Sequence, residues 1–394
     1  MFSDTAGGLP CRVIHFVGKD WFRIYKYLLK RILSSGVTCG TIGTVGAVYG
    51  GRIHPTVNTT PESIECMRLF REMLNAGCKA VVMEVSSLGL KSHRVDGIRF
   101  AAAVFTNLSP DHIGGAEHKD FEEYAYWKKQ LFLRCDAAVL NRDDAFSETI
   151  RGLTDAPVTT FSVYEPADYT AEDVRKLREK NFFGAAFTCV SKEGRFAMKT
   201  GVPGLFSVSN ALACIAVCRL MGVSMADIAA ALPTAKVPGR NDCLQLDTDF
   251  DVVIDYAHNG ESFQAVLDTF CGYEHNRVIT VFGSVGDRAQ LRREEMGRIS
   301  GARADLSILT ADDPGYEDPF AICEEIASFV RKSGGEYKII VDRAEAVRCA
   351  LSVAAPGDIV LLLGKGHETA QKVRGEKVAY SDYETVREYF GIEN

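Results

Sequence analysis

The stretch from Met83 to Phe132 constrains this chain most. Two short apolar runs, Ala80–Met83 and Ala101–Phe105, have no polar face, so they read as strands buried on both sides, the pattern of a parallel α/β sheet. Each run ends in polar residues: Glu84-Val85-Ser86-Ser87 after the first, Thr106-Asn107-Leu108-Ser109-Pro110-Asp111-His112 after the second. In open α/β sheets, ligands bind outside the carboxyl ends of the strands. Glu84 and His112 are therefore expected to enter one crevice from adjacent strand ends. A carboxylate and an imidazole placed there can hold a divalent cation, with or without a phosphate. A helix-capping glutamate and a structural histidine fit the same spacing, and spacing alone does not choose.

The 394 residues suffice for two or three domains. A formal net charge of −7, with no basic run and no basic-aromatic interleaving, argues against nucleic acid as a partner. No uninterrupted apolar segment is long enough for a bilayer, and Met1–Gly18 lacks the pattern of a signal peptide. The cysteines are scattered singly (Cys11, Cys39, Cys66, Cys78, Cys135, Cys189 and others) with no Cys-x-x-Cys. That pattern suits buried free thiols in a reducing cytoplasm and argues against a zinc site.

Cys11–Val17 reads as a strand, and Tyr25–Leu33 as a helix stopped at Ser34-Ser35-Gly36. Thr60 is an expected N-cap, with Pro61 in the first helical position. Phe182–Phe206 reads as small antiparallel strands and Ala211–Met221 as a helix. Further on, Val252–Ile254, Val278–Phe282, Leu306–Leu309 and Ile359–Leu363 alternate with helical segments, as in a doubly wound sheet. Gly283-x-x-Gly286 is by itself a weak phosphate-turn signal.

Met83-Glu84-Val85-Ser86-Ser87, Phe105-Thr106-Asn107-Leu108-Ser109-x-Asp111-His112 and Tyr124-x-x-x-Lys128-x-x-Leu131-Phe132, in that order, resemble the central domain of Mur ligases. The match is nearest to members that add the third amino acid to UDP-N-acetylmuramoyl-dipeptide in peptidoglycan synthesis. The resemblance implies a P-loop-NTPase-like central domain over 1–240, with a mostly parallel sheet, and a Rossmann-like C-terminal domain over 241–394. Val237-Pro238-Gly239-Arg240 is similar to the family's domain junction.

The implied activity is ATP-driven amide formation through an acyl phosphate. Glu84, His112 and Lys128 would be the catalytic and Mg²⁺-binding set, with Lys128 carrying a carbamate because an ammonium cannot ligate a cation. Without the resemblance, Lys128 reads as a surface helix lysine. Asn58, Thr59, Thr60, Ser86, Ser92 and Arg94 would contact the muramoyl peptide. Ser92 stands where relatives often have Gln, and Leu88 where they usually have His.

Gly18, Lys19, Asn210, Arg240, Asp255 and His258 make up the implied nucleotide set; Asn210 follows a family-like Gly204-x-Phe206, and Ser207 replaces an Asn. Arg293, Asp312, Asp313, Gly364 and Glu368 would take the incoming amino acid in one pocket. The family selects meso-diaminopimelate with Asp-Asn-Pro-Arg; here the stretch is Asp312-Asp313-Pro314-Gly315. The missing guanidinium fits L-lysine better.

One segment departs from the family. Where ATP-dependent members carry Gly-Thr-x-Gly-Lys-Thr-Thr, this chain has Gly18-Lys19-Asp20-Trp21-Phe22-Arg23-Ile24. Trp21 and Phe22 replace the second glycine and the phosphate-binding lysine, which removes groups a P-loop depends on. The family's uridine-binding first domain also has no counterpart in Met1–Pro10. Several readings stay open on sequence: a muramoyl-peptide ligase, active alone or completed by a protein partner; a ligase like folylpolyglutamate synthase; a pseudo-ligase with a binding or regulatory role; and a reading-frame error or chain truncation that accounts for the departing segment.

Overall fold

The computed structural model describes residues 12–17, 38–44, 46–109, 113–114, 117–234, 239–287 and 290–392. Gly18, Lys19, His112, the P-loop position and the expected helix at 25–33 lie outside them. The chain forms two compact units, one of Met1–Arg175 with Ala185–Lys236, the other of Lys176–Gly184 with Val237–Asn394. The division is therefore not a single cut near residue 240, because a short inner segment belongs with the C-terminal part.

In the first unit the strands are β1 (Arg12–Val17), β2 (Cys39–Gly43), β3 (Gly46–Tyr49), β4 (Arg52–His54), β5 (Ala80–Glu84), β6 (Ala102–Phe105), β7 (Ala138–Asn141), β8 (Val158–Ser162), β9 (Tyr169–Glu179), β10 (Phe182–Ser191) and β11 (Gly194–Thr200). They form one sheet in the order β11-β10-β9-β8-β7-β6-β1-β5-β2-β3-β4. Its centre, from β2 through β5, β1, β6 and β7 to β8, is parallel. The expected apolar strands β5 and β6 are both there, but they are not neighbours: β1 runs between them. The register pairs Phe16 with Glu84 and Val17 with Phe105, so the carboxyl ends of all three strands are level. Strand order is set by non-local pairing, which a run of apolar residues does not encode.

The helix Ser63–Asn75 begins later than its sequence suggests. Glu62 is its N-cap residue and makes no side-chain cap. Thr60 is instead buried; its hydroxyl donates to the Glu84 carbonyl at 3.1 Å and accepts the Ser86 N–H at 2.8 Å. A tertiary partner has outcompeted the local cap. The helix Phe206–Leu220 is apolar on all sides and buries most of its residues, as such helices do at the centre of a domain. It starts at Phe206, so Asn210 lies within it.

The second unit holds β12 (Asp242–Cys243), β13 (Asp251–Asp255), β14 (Val278–Phe282), β15 (Leu306–Leu309), β16 (Tyr337–Ile339) and β17 (Ile359–Leu363), in the order β12-β13-β17-β14-β15-β16, all parallel but β12. Helices cover both faces. Phe263, Leu267, Met296, Ile322 and Ile326 pack on one side with Val253 and Leu361, and Ala346, Val347, Leu351 and Val386 on the other with Val252 and Ile254. This is the doubly wound arrangement. The end of the β9–β10 hairpin also belongs here: Phe183 packs edge-on against Phe270 and Tyr273, and Arg178 pairs with Asp251 at 2.6 Å. A hairpin, β18 (Ala370–Val373) with β19 (Glu376–Ala379), and the helix Asp382–Phe390 complete the unit.

Candidate active site

In the first unit the expected residues gather where β5 ends. Glu84 Oε2 accepts the Thr44 N–H at 3.0 Å and the Thr44 hydroxyl at 2.9 Å. Both donors engage one oxygen, which fixes the carboxylate and leaves Oε1 without a hydrogen bond among the described residues. A partly exposed, oriented carboxylate oxygen suits a hard cation. The Thr59 hydroxyl lies 3.4 Å from that of Thr44, and Thr60 holds Ser86 as described. Ser86 caps the short helix Ser87–Lys91 by accepting the Gly89 N–H at 2.9 Å. Arg94 meets Glu62 at 2.8 Å and the Thr60 carbonyl at 3.3 Å. Asn58 offers its carbonyl to Thr56 at 3.1 Å, while Ser92 is exposed at the end of the short helix.

Lys128 is buried on the helix Phe121–Gln130, its Nζ 5.8 Å from the Tyr124 ring centre. It is not the surface lysine that its helical context suggests. The loop after β6 is pinned to the end of β7: Asn141 Nδ2 donates to the Thr106 carbonyl at 2.7 Å, and Asp144 accepts the Leu108 N–H at 2.9 Å.

In the second unit, Asp255 is buried at the end of β13. It accepts the Asn241 N–H at 2.6 Å and the Ala257 N–H at 2.7 Å. Burial pushes its carboxyl above the usual range, against these bonds and the Arg240 charge. His258 Nδ1 sits 2.8 Å from the Tyr256 carbonyl, and the Arg240 guanidinium lies over the Tyr256 ring at 5.2 Å.

The densest polar group surrounds a residue the sequence reading passed over. The side chain of Lys365 is fully buried, and its Nζ lies 2.7 Å from Glu368 Oε2, 2.8 Å from Asp313 Oδ1 and 3.4 Å from Asp312 Oδ1. Burial works against this ammonium, but the three acids outweigh it and hold its pKa above the ordinary lysine value. Asp312 is raised, mainly by burial, although Arg343 and Lys365 oppose the shift. Glu368 also accepts the Tyr256 hydroxyl at 3.1 Å. Gly364 has φ 105°, and a Cβ there would lie 2.9 Å from Asp312 Oδ2. A side chain would be strained and would crowd the acid.

Arg293 does not join this group. It is almost wholly buried and bound to Glu325 at 2.7 Å and Glu317 at 2.9 Å. The structure thus brings together Asp312, Asp313, Gly364 and Glu368 and gives Arg293 a separate pair of acids. The signal for Lys365 lay in its sequence position, two residues past the buried strand end at Leu363 and three before Glu368.

Two largely parallel sheets with polar groups at the carboxyl ends of their strands, an oriented carboxylate after β5 in one and an acid cluster after β15 and β17 in the other, have the α/β architecture of proteins that bind ligands at strand ends. Residues 25–218 match the Mur ligase middle domain, and residues 239–366 the Mur ligase glutamate ligase domain. The chain belongs to the Mur ligase family. It is 38% identical over 364 residues to a UDP-N-acetylmuramoyl-L-alanyl-D-glutamate--2,6-diaminopimelate ligase of Caldanaerobacter subterraneus subsp. tengcongensis, covering 92% of this chain and 74% of that protein. The like-named ligase of Geobacillus thermodenitrificans is 36% identical over 401 aligned positions, covering 98% and 81%. A solved structure of such a ligase superposes with a TM-score of 0.77 at 29% identity, covering 97% of this chain and 78% of that one. Mycobacterium tuberculosis folylpolyglutamate synthase, at 14% identity and TM-score 0.66, shares the fold. The comparisons lend no support to a pseudo-ligase. Among the described residues no helix is long and apolar enough to cross a membrane.

Proposed function

We propose that this protein is an ATP-dependent amide ligase of peptidoglycan synthesis that extends a muramoyl peptide by one amino acid through an acyl phosphate. The observation that carries the reading is the convergence of Asp312, Asp313 and Glu368 on one buried ammonium at the ends of β15 and β17. Lys365 is the one cation in direct contact with the three carboxylates, and Arg343, which also acts on Asp312, is paired with Asp382, so the cluster retains attraction for a ligand ammonium.

The reaction divides into two displacements. A substrate carboxylate oxygen attacks the γ-phosphorus of ATP, ADP leaves, and an acyl phosphate forms. The unprotonated amine of the amino acid then attacks the acyl carbon, phosphate departs with the bonding electron pair, and the amine nitrogen loses a proton. Glu84, His112 and carbamylated Lys128 would hold Mg²⁺, which when bound offsets phosphate charge. Thr44 keeps Glu84 oriented for that task, and Ser86 and Arg94, both held by the buried Thr60, lie partly exposed on the segment that follows it. Glu368 would orient the amino-acid ammonium.

The Caldanaerobacter and Geobacillus relatives are named as 2,6-diaminopimelate ligases. This chain has Gly315 with the Asp287 carboxylate beside it, a negative charge at the place where a second ligand carboxylate would need a positive one. L-lysine is therefore the favoured amino acid. The test supplies purified protein with UDP-N-acetylmuramoyl-L-alanyl-D-glutamate, ATP and Mg²⁺, and either L-lysine or meso-diaminopimelate, and measures phosphate release and product mass. A lysine adduct is expected. No adduct with either amino acid would remove the ligase reading, and faster turnover with meso-diaminopimelate would remove the lysine preference.

A further inference from the structure

The first unit also holds a buried polar knot that no step above uses. His118 is 2% exposed. Its Nε2 lies 2.8 Å from Ser87 Oγ and its Nδ1 4.0 Å from Glu123 Oε2, and its ring tilts against Tyr124 at 5.6 Å. Lys91 Nζ reaches Glu123 at 3.0 Å and the Glu117 carbonyl at 2.8 Å. Glu123 also accepts the Lys119 N–H at 2.8 Å. That bond and the Lys91 ammonium hold its carboxyl down at about 2, so it stays ionised. The His118 carbonyl accepts the Gly114 N–H at 2.7 Å, which closes the loop after β6 on itself.

These contacts join three segments. Ser87 and Lys91 belong to the helix that follows Glu84. His118 ends the loop that follows β6. Glu123 and Tyr124 begin the helix whose next turn carries Lys128, and Tyr124 and Lys128, four residues apart, share one face of it. We propose that His118 is a positioning residue for cation binding: through Ser87 on one side and Tyr124 and Glu123 on the other, it fixes the spacing between the segment that bears Glu84 and the helix that bears Lys128. His118 touches no substrate. It acts by holding other groups in place, as partners behind metal ligands do, and losing such a partner typically costs about 10–100-fold in metal affinity.

The inference rests on the ligase reading, in which Glu84 and Lys128 serve the cation, and the test keeps the two apart. Mn²⁺ alone is titrated into the full chain and free Mn²⁺ is followed by electron paramagnetic resonance, with thermal unfolding measured in parallel. Four variants are compared with the native protein: Glu84→Gln, His118→Leu, Ser87→Ala and His118→Gln. Glu84→Gln is expected to abolish specific binding. His118→Leu and Ser87→Ala should each raise the Mn²⁺ dissociation constant by about tenfold or more. His118→Gln, whose amide nitrogen can reach the position of Nε2, should recover most of the affinity.

If His118→Leu does not fold, Ser87→Ala, which removes one hydroxyl and keeps the ring, decides alone. Native-like Mn²⁺ affinity in Ser87→Ala, with or without a lowered unfolding temperature, would make the knot purely structural and overturn the proposal. Unchanged binding in Glu84→Gln would overturn the metal reading and the proposal with it.

Discussion

Asp287 occupies the space that a side chain at position 315 would need. Its Oδ2 accepts the Tyr316 N–H at 3.1 Å, and a Cβ added to Gly315 would overlap that same oxygen. Both residues are left-handed, with φ 58° at Asp287 and 60° at Gly315. Glu317 accepts the Asp287 N–H and also binds Arg293, so the turn is braced from behind. An arginine at 315 would have to displace that acid before it could reach a ligand.

It follows that Gly315→Arg alone does not create a site for a second carboxylate. A left-handed L-residue costs about 1–2 kcal/mol, before any displacement of Asp287. The unfolding temperature should fall by about 2–8 °C, with no preferential stabilisation by meso-diaminopimelate. Adding Asp287→Ala should free the space and shift the preference toward meso-diaminopimelate. Thermal shift with both amino acids checks this, since ligand binding to the native state raises stability. A preference for meso-diaminopimelate in the single variant would show that Asp287 moves aside unaided.

Lys365 sets the second prediction. Its folded pKa is raised above the ordinary 10.5 by Asp312, Asp313 and Glu368, against the opposing effect of burial. A raised lysine pKa means stabilisation that is complete below the unfolded value and lost as pH rises through the folded one. Lys365→Met should thus destabilise the protein by a constant amount from neutral pH to about pH 10, with the difference narrowing above that. Unfolding temperatures of both proteins across alkaline pH give the curve. A gap that widened with pH would contradict the assignment.

Arg343 and Asp382 give the third. The two side chains are fully buried and paired at 2.9 and 2.8 Å, and Arg343 also donates to the Leu363 carbonyl at 2.9 Å. This pair ties the last helix to the end of β17, one residue before Gly364. Arg343→Met strands a buried carboxylate and should cost about 3–5 kcal/mol. Adding Asp382→Asn should recover part of that, because the charge is removed with its partner. Chemical denaturation measures both; a double variant less stable than the single one would show that Asp382 was not the uncompensated charge.

The strands of the second unit were legible because each is an apolar run bounded by polar residues. Val252–Ile254, Val278–Phe282, Leu306–Leu309 and Ile359–Leu363 all fall on strands, with β13 extending one residue further at each end. What sequence does not carry is which distant groups meet. Thr60 had the residue type and position of a cap, but Ser86 and Glu84 took its hydroxyl. Arg293 had the charge for a ligand carboxylate, but Glu317 and Glu325 neutralise it within the fold. Lys365 stands in the sequence merely between Gly364 and Gly366, and its meaning depends on two loops converging. Ser87 and His118 lie 31 positions apart in the chain, and nothing in either neighbourhood announces their bond.

The last prediction concerns ATP and comes from residues 18–24. A P-loop binds phosphate through backbone N–H groups that glycines leave accessible and through a lysine ammonium. In this chain Trp21 and Phe22 stand at the second glycine and the lysine. A hydrogen bond to a charged group contributes about 1.5–3 kcal/mol, so losing two weakens binding by orders of magnitude. Lys19 and Arg23 can restore some attraction as point charges, though a nest of N–H groups is directional and they are not. Mg-ATP should therefore bind far more weakly than to the same chain with a complete P-loop. Replacing residues 18–24 by Gly-Thr-x-Gly-Lys-Thr-Thr should tighten binding and raise kcat/KM for ATP. Calorimetry and phosphate-release kinetics on both forms decide it. Equal ATP affinity in the native and replaced chains would mean that other residues supply the phosphate contacts.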